Sequence, residues 1–495
     1  MQIHKHFTAS LALMILVSVN VFAGTLPIPP LAPYTMVNGV KTFNMNIRQS
    51  TTQFFSGVNT RTYGINRNVL GQTIRIHDGD RVKINYKNSL SEATTMHGHG
   101  MHIPAIMDGG PKNKIQPGQT WTASYTVKQP ASTNWYHPHL MGTTARHVYM
   151  GLAGMMIIDD DKSDALALPR TYGVDDIPLI IQDKRFTGSR QIHYAPNRME
   201  IMRGYTSRTM MVNGSISPTV YVKDKQIRFR VLNASNSSLY NLRFSDGRGF
   251  KQIATDGGFL EKPVNLSSLL LSPGERAEIV VNFSGDLGST VTLKETRNNI
   301  NIMRIRINST SVGVTSVPST LNKLEKYRAS DAVRIRNFLL NTVGGGMMGK
   351  MAINGRTFNL NRIDNVVSVN DIEIWNIRNT MNLEHNFHIH AIHFMILERN
   401  GSTARVAANE KGYKDVVRIP PNSSVKVIIK MKDYIDPKNG YMYHCHFLEH
   451  EDDGMMGQFT VIQNKNNPVT KWVPIMMDTM TTVVPVPLPL GSTTY

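Results

Sequence analysis

The stretch TIRIHDGDRVKINYKN, residues 73–88, shows the pattern that decides the fold class of this chain. Apolar and polar residues alternate on both sides of a short HDGD segment, which is rich in turn-forming residues. Alternation with a period of two is the pattern of a β-strand with one buried face. Similar segments recur at residues 226–235, 275–285 and 423–433, and helical periodicity is rare. The sequence therefore predicts an all-β protein built from sandwich-like domains.

The length of the chain and a weak internal repeat predict three domains of the same kind. The 495 residues are enough for several domains of ordinary size. A strand that ends in an asparagine-containing turn recurs near residues 85, 230 and 375, a spacing of about 145 residues. The predicted boundaries are 1–23 for a signal peptide, 24–163 for domain 1, 164–312 for domain 2, 313–335 for a linker and 336–495 for domain 3.

The N-terminus has the features of a secretory signal peptide. Residues 1–23 have a weakly basic start, an apolar run from Leu11 to Phe22 and the small residue Ala23 at the expected cleavage point. They contain no arginine, which predicts Sec-type export to the periplasm or the exterior. No later apolar stretch approaches the ~20 residues of a membrane-spanning helix, so stable membrane insertion is not expected.

The charge of the chain does not predict a nucleic-acid partner. The formal net charge is +18, but the 54 lysines and arginines are scattered and form no dense run. Cys445 is the only cysteine, so an intramolecular disulfide is excluded. The thiol is therefore a packing residue, an exposed thiol or a metal ligand.

The histidines are concentrated in the first and last thirds of the chain, where they form four His-x-His pairs. Between His147 and His385 the sequence contains only His193. Side chains at i and i+2 of a strand leave the same face, so each pair presents two imidazoles to one metal or to two neighbouring metals. The pairs are His97 and His99, His137 and His139, His388 and His390, and His444 and His446.

The lone cysteine lies in YHCHFLEHEDDGMM, residues 443–456, between two of these histidines. If one strand continues through them, Cys445 points to the face opposite to His444 and His446, and the strand contacts two metal sites. One thiolate, two imidazoles and a weak thioether are the ligands of a blue-copper centre. Structural zinc, the main alternative, usually requires several cysteines. The residues that could complete a copper set are His385, His450 and Met455.

Four motifs in this order resemble the copper-binding motifs of the multicopper oxidases. They are HGHG at 97–100, WYHPH at 135–139, HNFHIH at 385–390 and HCHFLEHEDDGM at 444–455. The chain also contains MDGGP at 107–111 and GLAGMMIIDDD at 151–161, and it most resembles the bacterial periplasmic copper-efflux oxidases. The resemblance implies three cupredoxin-like Greek-key β-sandwich domains, a copper-free middle domain, and four Cu ions, namely one type 1, one type 2 and two type 3.

The resemblance also assigns the site residues. Type 1 copper takes His385, Cys445, His450 and Met455; type 2 copper takes His97 and His388; the type 3 pair takes His99, His137, His139, His390, His444 and His446. Cys445 carries electrons, and Asp108 and Glu451 match acidic positions that deliver protons. Asp452 and Asp453 are expected in a solvated loop.

The implied activity is one-electron oxidation of a small reducing substrate coupled to the reduction of O2 to water. The 28 methionines favour Cu(I), and thus a role in copper tolerance or metal homeostasis, because thioethers are soft ligands. Met347, Met348 and Met351 are the candidate Cu(I) residues, although the family's methionine-rich insertion is almost absent. Fe(II) and phenols are the next substrates, and a non-catalytic export or copper-sequestering protein is the remote alternative. A monomer is expected.

A further departure from the family lies just before His385. The stretch RNTMNLE, residues 378–384, lacks the carboxylate expected four residues upstream of that histidine. Met381 and Glu384 are the residues that could replace it.

Overall fold

The computed structural model describes residues 24–310, 313–345 and 349–464, and it confirms the all-β prediction. The predicted signal peptide, Met347 and Met348 lie outside these residues. The opening stretch forms two strands, Ile74–His77 and Arg81–Asn88, whose side chains alternate between buried and less buried positions as predicted. The strands form three successive units, each made of two sheets that enclose a core.

The first unit packs a six-stranded sheet on a four-stranded sheet. The sheet orders are β4-β3-β2-β6-β8, with β1 beside β2, and β5-β10-β9-β7. The ten strands are β1 (Tyr34–Val37), β2 (Val40–Phe55), β3 (Val58–Ile65), β4 (Leu70–Gly71), β5 (Ile74–His77), β6 (Arg81–Asn88), β7 (His97–His99), β8 (Thr120–Thr126), β9 (Ser132–His137) and β10 (Gly154–Asp159).

The second unit packs a seven-stranded sheet on a five-stranded sheet. Their orders are β15-β14-β11-β17-β22-β19-β20 and β16-β24-β23-β18-β21, and β12 pairs with β13. The strands are β11 (Asp176–Asp183), β12 (Arg185–Phe186), β13 (Ile192–His193), β14 (Met210–Val212), β15 (Ser215–Ile216), β16 (Thr219–Asp224), β17 (Gln226–Asn233), β18 (Tyr240–Phe244), β19 (Phe250–Thr255), β20 (Gly258–Leu266), β21 (Leu269–Leu271), β22 (Arg276–Asn282), β23 (Thr290–Glu295) and β24 (Ile300–Thr310).

The third unit consists of two five-stranded sheets. Their orders are β26-β25-β28-β32-β30 and β27-β34-β33-β29-β31. The strands are β25 (Arg334–Val343), β26 (Lys350–Ile353), β27 (Asn365–Ser368), β28 (Ile372–Asn379), β29 (His385–Ile389), β30 (Met395–Arg399), β31 (Val416–Ile419), β32 (Ser423–Lys430), β33 (Asp436–His444) and β34 (Met456–Ile462).

Short α-helices connect the strands. They are α1 (Thr144–Met150), α2 (Asp161–Ala165), α3 (Arg198–Arg203) and α4 (Leu448–Asp453). Within the described ranges, no helix has the length and apolar character needed to cross a membrane.

Helix α4 connects the first and third units, and it corrects one prediction. The Asp452 carboxylate accepts hydrogen bonds from the backbone N–H groups of Gly142, Thr144 and Ala145, at the start of α1. Asp453 forms an ion pair with Arg198. The prediction of a solvated loop is therefore wrong, because both acids satisfy donors from elsewhere in the chain. Carboxylates at a helix N-terminus are stabilised by its free N–H groups and its dipole.

Candidate metal centre

Two strand pairs, one from the first unit and one from the third, bring four histidines to the interface between these units. In the first unit β7 pairs with β9, so that His97 lies opposite His137. In the third unit β29 pairs with β33, so that His388 lies opposite His444. Of the other members of the four His-x-His pairs, His99 lies in β7, and the rest lie just beyond the ends of their strands, namely His139, His390 and His446.

The eight imidazoles of these pairs form one buried cluster. The Nε2 atom of His444 lies 3.0 Å from Nε2 of His139 and 3.2 Å from Nε2 of His390. On the other side of the cluster, Nε2 of His137 lies 3.4 Å from Nδ1 of His99. The His446 ring lies 4.9 Å from the ring of His99 and 5.3 Å from that of His137. The geometry thus contains two groups of three imidazoles.

His97 and His388 remain as a pair between these two groups. Their ring centroids are 6.0 Å apart. His97 stacks on His390 and His388 stacks on His99, with ring centroids 3.9 Å and 3.8 Å apart. Each of these contacts joins the first unit to the third, so the cluster is an interface between units.

Hydrogen bonds at the outer ring nitrogens leave the inner nitrogens available as ligands. In four imidazoles Nδ1 lies 2.7 or 2.8 Å from an acceptor oxygen; the residues are His97, His137, His388 and His390. Since a carbonyl or carboxylate oxygen accepts, these rings donate from Nδ1 and keep a lone pair on Nε2. In His99 the roles of the two ring nitrogens are exchanged, because its Nε2 lies 3.0 Å from Oδ1 of Asp415. Its Nδ1 therefore faces the cluster.

The burial of these imidazoles favours their neutral form. Burial, reinforced mainly by neighbouring imidazoles, lowers the pKa of His139 to about 3. Burial also lowers the pKa of His99, His137, His388, His390, His444 and His446 well below the ordinary value. Nε2 of His97, Nε2 of His388 and both nitrogens of His446 are buried without a hydrogen-bond partner among the described residues. Neutral imidazoles with converging, unpaired nitrogens fit copper.

A second candidate site surrounds Cys445 in the core of the third unit. The Sγ atom lies 3.6 Å from Nδ1 of His385 and 3.5 Å from Nδ1 of His450, and these two nitrogens are 3.1 Å apart. Met455 is buried in the same core, and its backbone oxygen accepts from the Cys445 N–H at 3.1 Å. One thiol and two imidazoles beside a methionine are the donor types of a blue-copper centre.

Burial keeps this thiol protonated until a metal binds. It raises the pKa of Cys445 to about 12 and lowers the pKa of His450 to about 4. A bound metal would displace the thiol proton, since the thiolate is the ligand. Metal uptake at Cys445 therefore releases a proton.

The structure corrects the prediction that each His-x-His pair lies on one strand. Among the four pairs only His97 and His99 share a strand, β7. Strand β9 ends at His137 before Pro138, which has no N–H for a ladder, and β33 ends at His444. Cys445 and His446 therefore lie in the segment that leads into α4. Cys445 still contacts the His385 and His450 site, whereas His444 and His446 contact the histidine cluster.

Both predicted proton-delivering acids are buried beside the cluster. The Glu451 carboxylate lies 3.3 Å from Nδ1 of His139 and 3.3 Å from Nδ1 of His444. Burial raises the pKa of Glu451 well above its usual range. The Asp108 carboxylate lies 2.7 Å from Nδ1 of His390. Each acid thus contacts an imidazole of the cluster.

A tight turn holds Asp108 in this position. Gly109 has φ +76°, and a Cβ at this residue would lie 1.8 Å from the backbone oxygen of Met96. Only glycine fits such a close approach in the left-handed region. This turn gives a structural reason for the glycine in the MDGGP motif.

Sequence reasoning missed two residues that connect the middle unit to the cluster. The fully buried Arg276 guanidinium donates to both oxygens of Asp415, at 2.5 and 2.6 Å. Asp415 in turn holds His99 through Oδ1 and His388 through its backbone oxygen. The sequence signal was limited to a charged Lys414–Asp415 pair before an apolar strand, which does not identify the partner 139 residues away.

Comparisons with known proteins agree with this geometry. Three family models described as multicopper oxidase match residues 46–163, 175–294 and 332–465. The multicopper oxidase mco of Staphylococcus aureus is 37% identical over 428 residues, which cover 86% of this chain and 89% of that protein. The cell division protein FtsP of Yersinia pestis is 33% identical over 453 residues, which cover 88% of this chain and 92% of that protein.

A solved structure shows the same architecture. A laccase from Pediococcus acidilactici superposes with a TM-score of 0.82 at 32% identity, covering 89% of this chain and 94% of that chain. The cupredoxin-like fold is thereby confirmed, and the family uses four coppers and O2. The sequence motifs, the histidine clusters and these matches agree that the chain belongs to the multicopper oxidase family.

Proposed function

We propose that this chain oxidises a small organic reductant beside Cys445 and reduces O2 to water at the histidine cluster. Copper bound at these residues supplies the one-electron and oxygen chemistry. The observation that supports electron transfer between the two sites is that His444, Cys445 and His446 are consecutive in the chain. Cys445 lies within 3.6 Å of the His385 and His450 nitrogens, whereas its neighbour His444 lies 3.0 Å from His139.

The ligand assignment follows the two groups of donors. We propose that type 1 copper is held by His385, Cys445, His450 and Met455, and type 2 copper by His97 and His388. The type 3 pair is held by the two groups of three imidazoles, namely His139, His390 and His444, and His99, His137 and His446. Cys445 provides a covalent path between the two sites through its own backbone and those of His444 and His446.

Glu451 and Asp108 are proposed to deliver protons to the cluster. Reducing one O2 to two waters consumes four protons, and an enclosed site needs acids to pass them inward. Glu451 contacts both His139 and His444, and Asp108 contacts His390. Asp108 also orients His97 through its backbone oxygen at 2.7 Å.

We expect Glu451→Gln to slow oxygen reduction by a factor on the order of 10², the usual contribution of a positioned acid. The amide keeps the shape of the side chain but does not supply an acidic proton. Stopped-flow reoxidation of the fully reduced protein by O2 measures this step. Anaerobic reduction of the Cys445 site should keep its rate, because the Glu451 carboxylate faces His139 and His444 of the cluster and is not one of the donor groups around Cys445.

The control is Glu449→Gln in the same helix. Glu449 is also buried, but its carboxylate is bound to Asn236, Ser237 and Tyr194 rather than to the cluster. Its variant should reoxidise at the parent rate. A Glu451→Gln protein that reoxidises as fast as the parent would rule out this acid as a proton donor.

We propose organic reductants ahead of the Cu(I) that the sequence favoured. Met351 is fully buried in the third core, so it has no surface to offer a dissolved ion. Glu384 forms an ion pair with Arg418, and Met381 packs against the core. A laccase, as described above, is among the similar structures. Cu(I) with copper tolerance, and Fe(II), remain the alternatives.

The similarity to the cell division protein FtsP raises a different function, a role in cell division. The histidine cluster argues against a purely structural role. Burying imidazole nitrogens without partners destabilises a fold, because each loses its hydrogen bonds to water. A purely structural protein does not need buried imidazole nitrogens without partners, whereas a copper enzyme needs them as ligands. We propose export by the Sec route to the periplasm or exterior, and action as a monomer.

Oxygen consumption by the copper-loaded protein tests the proposed function. Cu(I), Fe(II) and a methoxyphenol are supplied separately, and the initial rates are compared with those of the metal-free protein. We expect uptake with the phenol to exceed that with either ion. No uptake with any donor would refute an oxidase, and uptake with Cu(I) alone would overturn the organic reductant in favour of Cu(I).

A further inference from the structure

A cavity of about 700 Å³ lies between the second and third units, next to the Cys445 site. Its wall in the second unit includes Arg203, Arg208 and Arg297, and its wall in the third unit includes Leu383 and Phe447. This volume is within the range of small-molecule sites. The middle unit, which contributes none of the proposed copper ligands, thus forms one face of a cavity at the electron-accepting site.

The cavity lies one side chain from the proposed type 1 ligands. The Phe447 ring stacks on the His450 ring, with centroids 5.3 Å apart and planes 13° apart. Leu383, two residues before His385, packs against the core that contains Cys445. The buried Phe447 ring therefore lies between a donor in the cavity and His450.

Three guanidinium groups give this cavity a positive surface. Arg203, Arg208 and Arg297 are exposed, and none of them forms a side-chain hydrogen bond or ion pair within the described residues. The fourth arginine of the wall, Arg185, differs because it pairs with Glu200 and stacks on Tyr205. The three unpaired groups are thus free to bind a ligand.

The acids of the same cavity are already bound to other groups. The buried Glu295 carboxylate accepts from the backbone N–H groups of Arg297 and Asn298, at 2.7 and 2.8 Å. Glu384 pairs with Arg418 through both of its oxygens. The lining contains four arginines and two glutamates, so it has an excess of positive charge that attracts anions and repels dissolved Cu(I) and Fe(II).

We propose that this cavity binds an anionic aromatic reductant, such as a phenol that carries a carboxylate. Arginine presents several N–H donors in a planar fork that matches a carboxylate, and the apolar wall at Leu383 and Phe447 contacts the ring. The inference rests on the proposed oxidase function and specifies its substrate. Each phenol loses one electron and its hydroxyl proton and becomes a phenoxyl radical. Four phenols and one O2 give four radicals and two waters.

Three reducing substrates with the same aromatic ring and different side-chain charges test the role of the substrate's charge. They are 3-(4-hydroxy-3-methoxyphenyl)propanoate, its methyl ester and the corresponding phenethylamine, in which a saturated spacer keeps the ring electronics similar. With the copper-loaded protein at low salt, we expect a KM for the carboxylate roughly tenfold below that for the ester, since one charged hydrogen bond has that effect. The amine should have the highest KM. Added salt should reduce the differences.

The triple variant Arg203→Gln, Arg208→Gln, Arg297→Gln should bring the three KM values together, with the largest increase for the carboxylate. The control is Arg248→Gln, which removes a surface arginine of the same unit that pairs with Asp246 and Asp286. A second readout needs no turnover. Calorimetry should detect binding of 3-(3,4-dimethoxyphenyl)propanoate, which has no phenolic hydroxyl, to the parent but not to the triple variant.

The outcomes separate the two proposals. Equal KM values for the three donors, or unchanged binding to the triple variant, would overturn the anionic-substrate inference while leaving the oxidase in place. Absence of oxygen uptake with every donor, together with intact binding of the dimethoxy acid, would refute the oxidase and keep the anion site.

Discussion

Replacing Cys445 with serine should remove the blue absorption and reduce turnover with every donor to the uncatalysed background. The colour of a type 1 centre comes from a copper–thiolate bond, and a serine hydroxyl is neither soft nor deprotonated at neutral pH. The same substitution interrupts the path from the His385 and His450 site to His444 and His446. Absorption spectroscopy, oxygen uptake and copper content measure the three effects. The copper content should fall from four ions per chain to three.

The matched control for this variant is Met455→Leu. Met455 is buried beside Cys445, and leucine fills a similar volume without a thioether. Because a thioether would bind copper only weakly, it would tune the potential rather than create the colour, so this variant should stay blue and have a higher reduction potential. A Cys445→Ser protein that retains the blue colour would show that the type 1 assignment is wrong.

Replacing Arg276 with methionine should destabilise the fold by about 3–5 kcal/mol, because it leaves the buried Asp415 carboxylate without its cationic partner. Arg276 donates to both oxygens of Asp415 and also to the backbone oxygen of Thr133, so it joins all three units. Since Asp415 holds His99, the loss should also weaken copper binding in the cluster. Thermal unfolding measures the first effect, and copper content measures the second.

The control for this prediction is Arg248→Met. Arg248 also pairs with two aspartates of the second unit, but Asp246 and Asp286 are about a third exposed. Surface pairs of this kind contribute about 0–1 kcal/mol. Similar losses of stability in the two variants would show that the buried arginine does not organise the interface.

The parts of the structure that depend on local period were predictable from the sequence. Alternation at Ile74, Ile76, Val82 and Ile84 predicted two strands, because the side-chain period of a strand is a property of adjacent residues. The spacing of the His-x-His pairs likewise predicted a cluster. The exact ends of β9 and β33 were not predictable, since they depend on where the chain leaves each sheet.

Contacts between distant residues escaped prediction. Asp415 and Arg276 are far apart in sequence, and ion pairing between units follows no local pattern. Asp452 and Asp453 were expected in a solvated loop, yet Asp452 accepts from backbone N–H groups at the start of α1, 307 or more residues away. Met351 could be a ligand or a core residue from composition alone, and the structure places it in the core.

Anaerobic reductive titration of the copper-loaded protein measures whether Cys445 joins two copper sites into one electron-accepting unit. We expect each chain to accept four reducing equivalents, one for each copper, and the blue absorption to disappear as they are added. Acceptance of a single equivalent, with the cluster remaining oxidised, would contradict this.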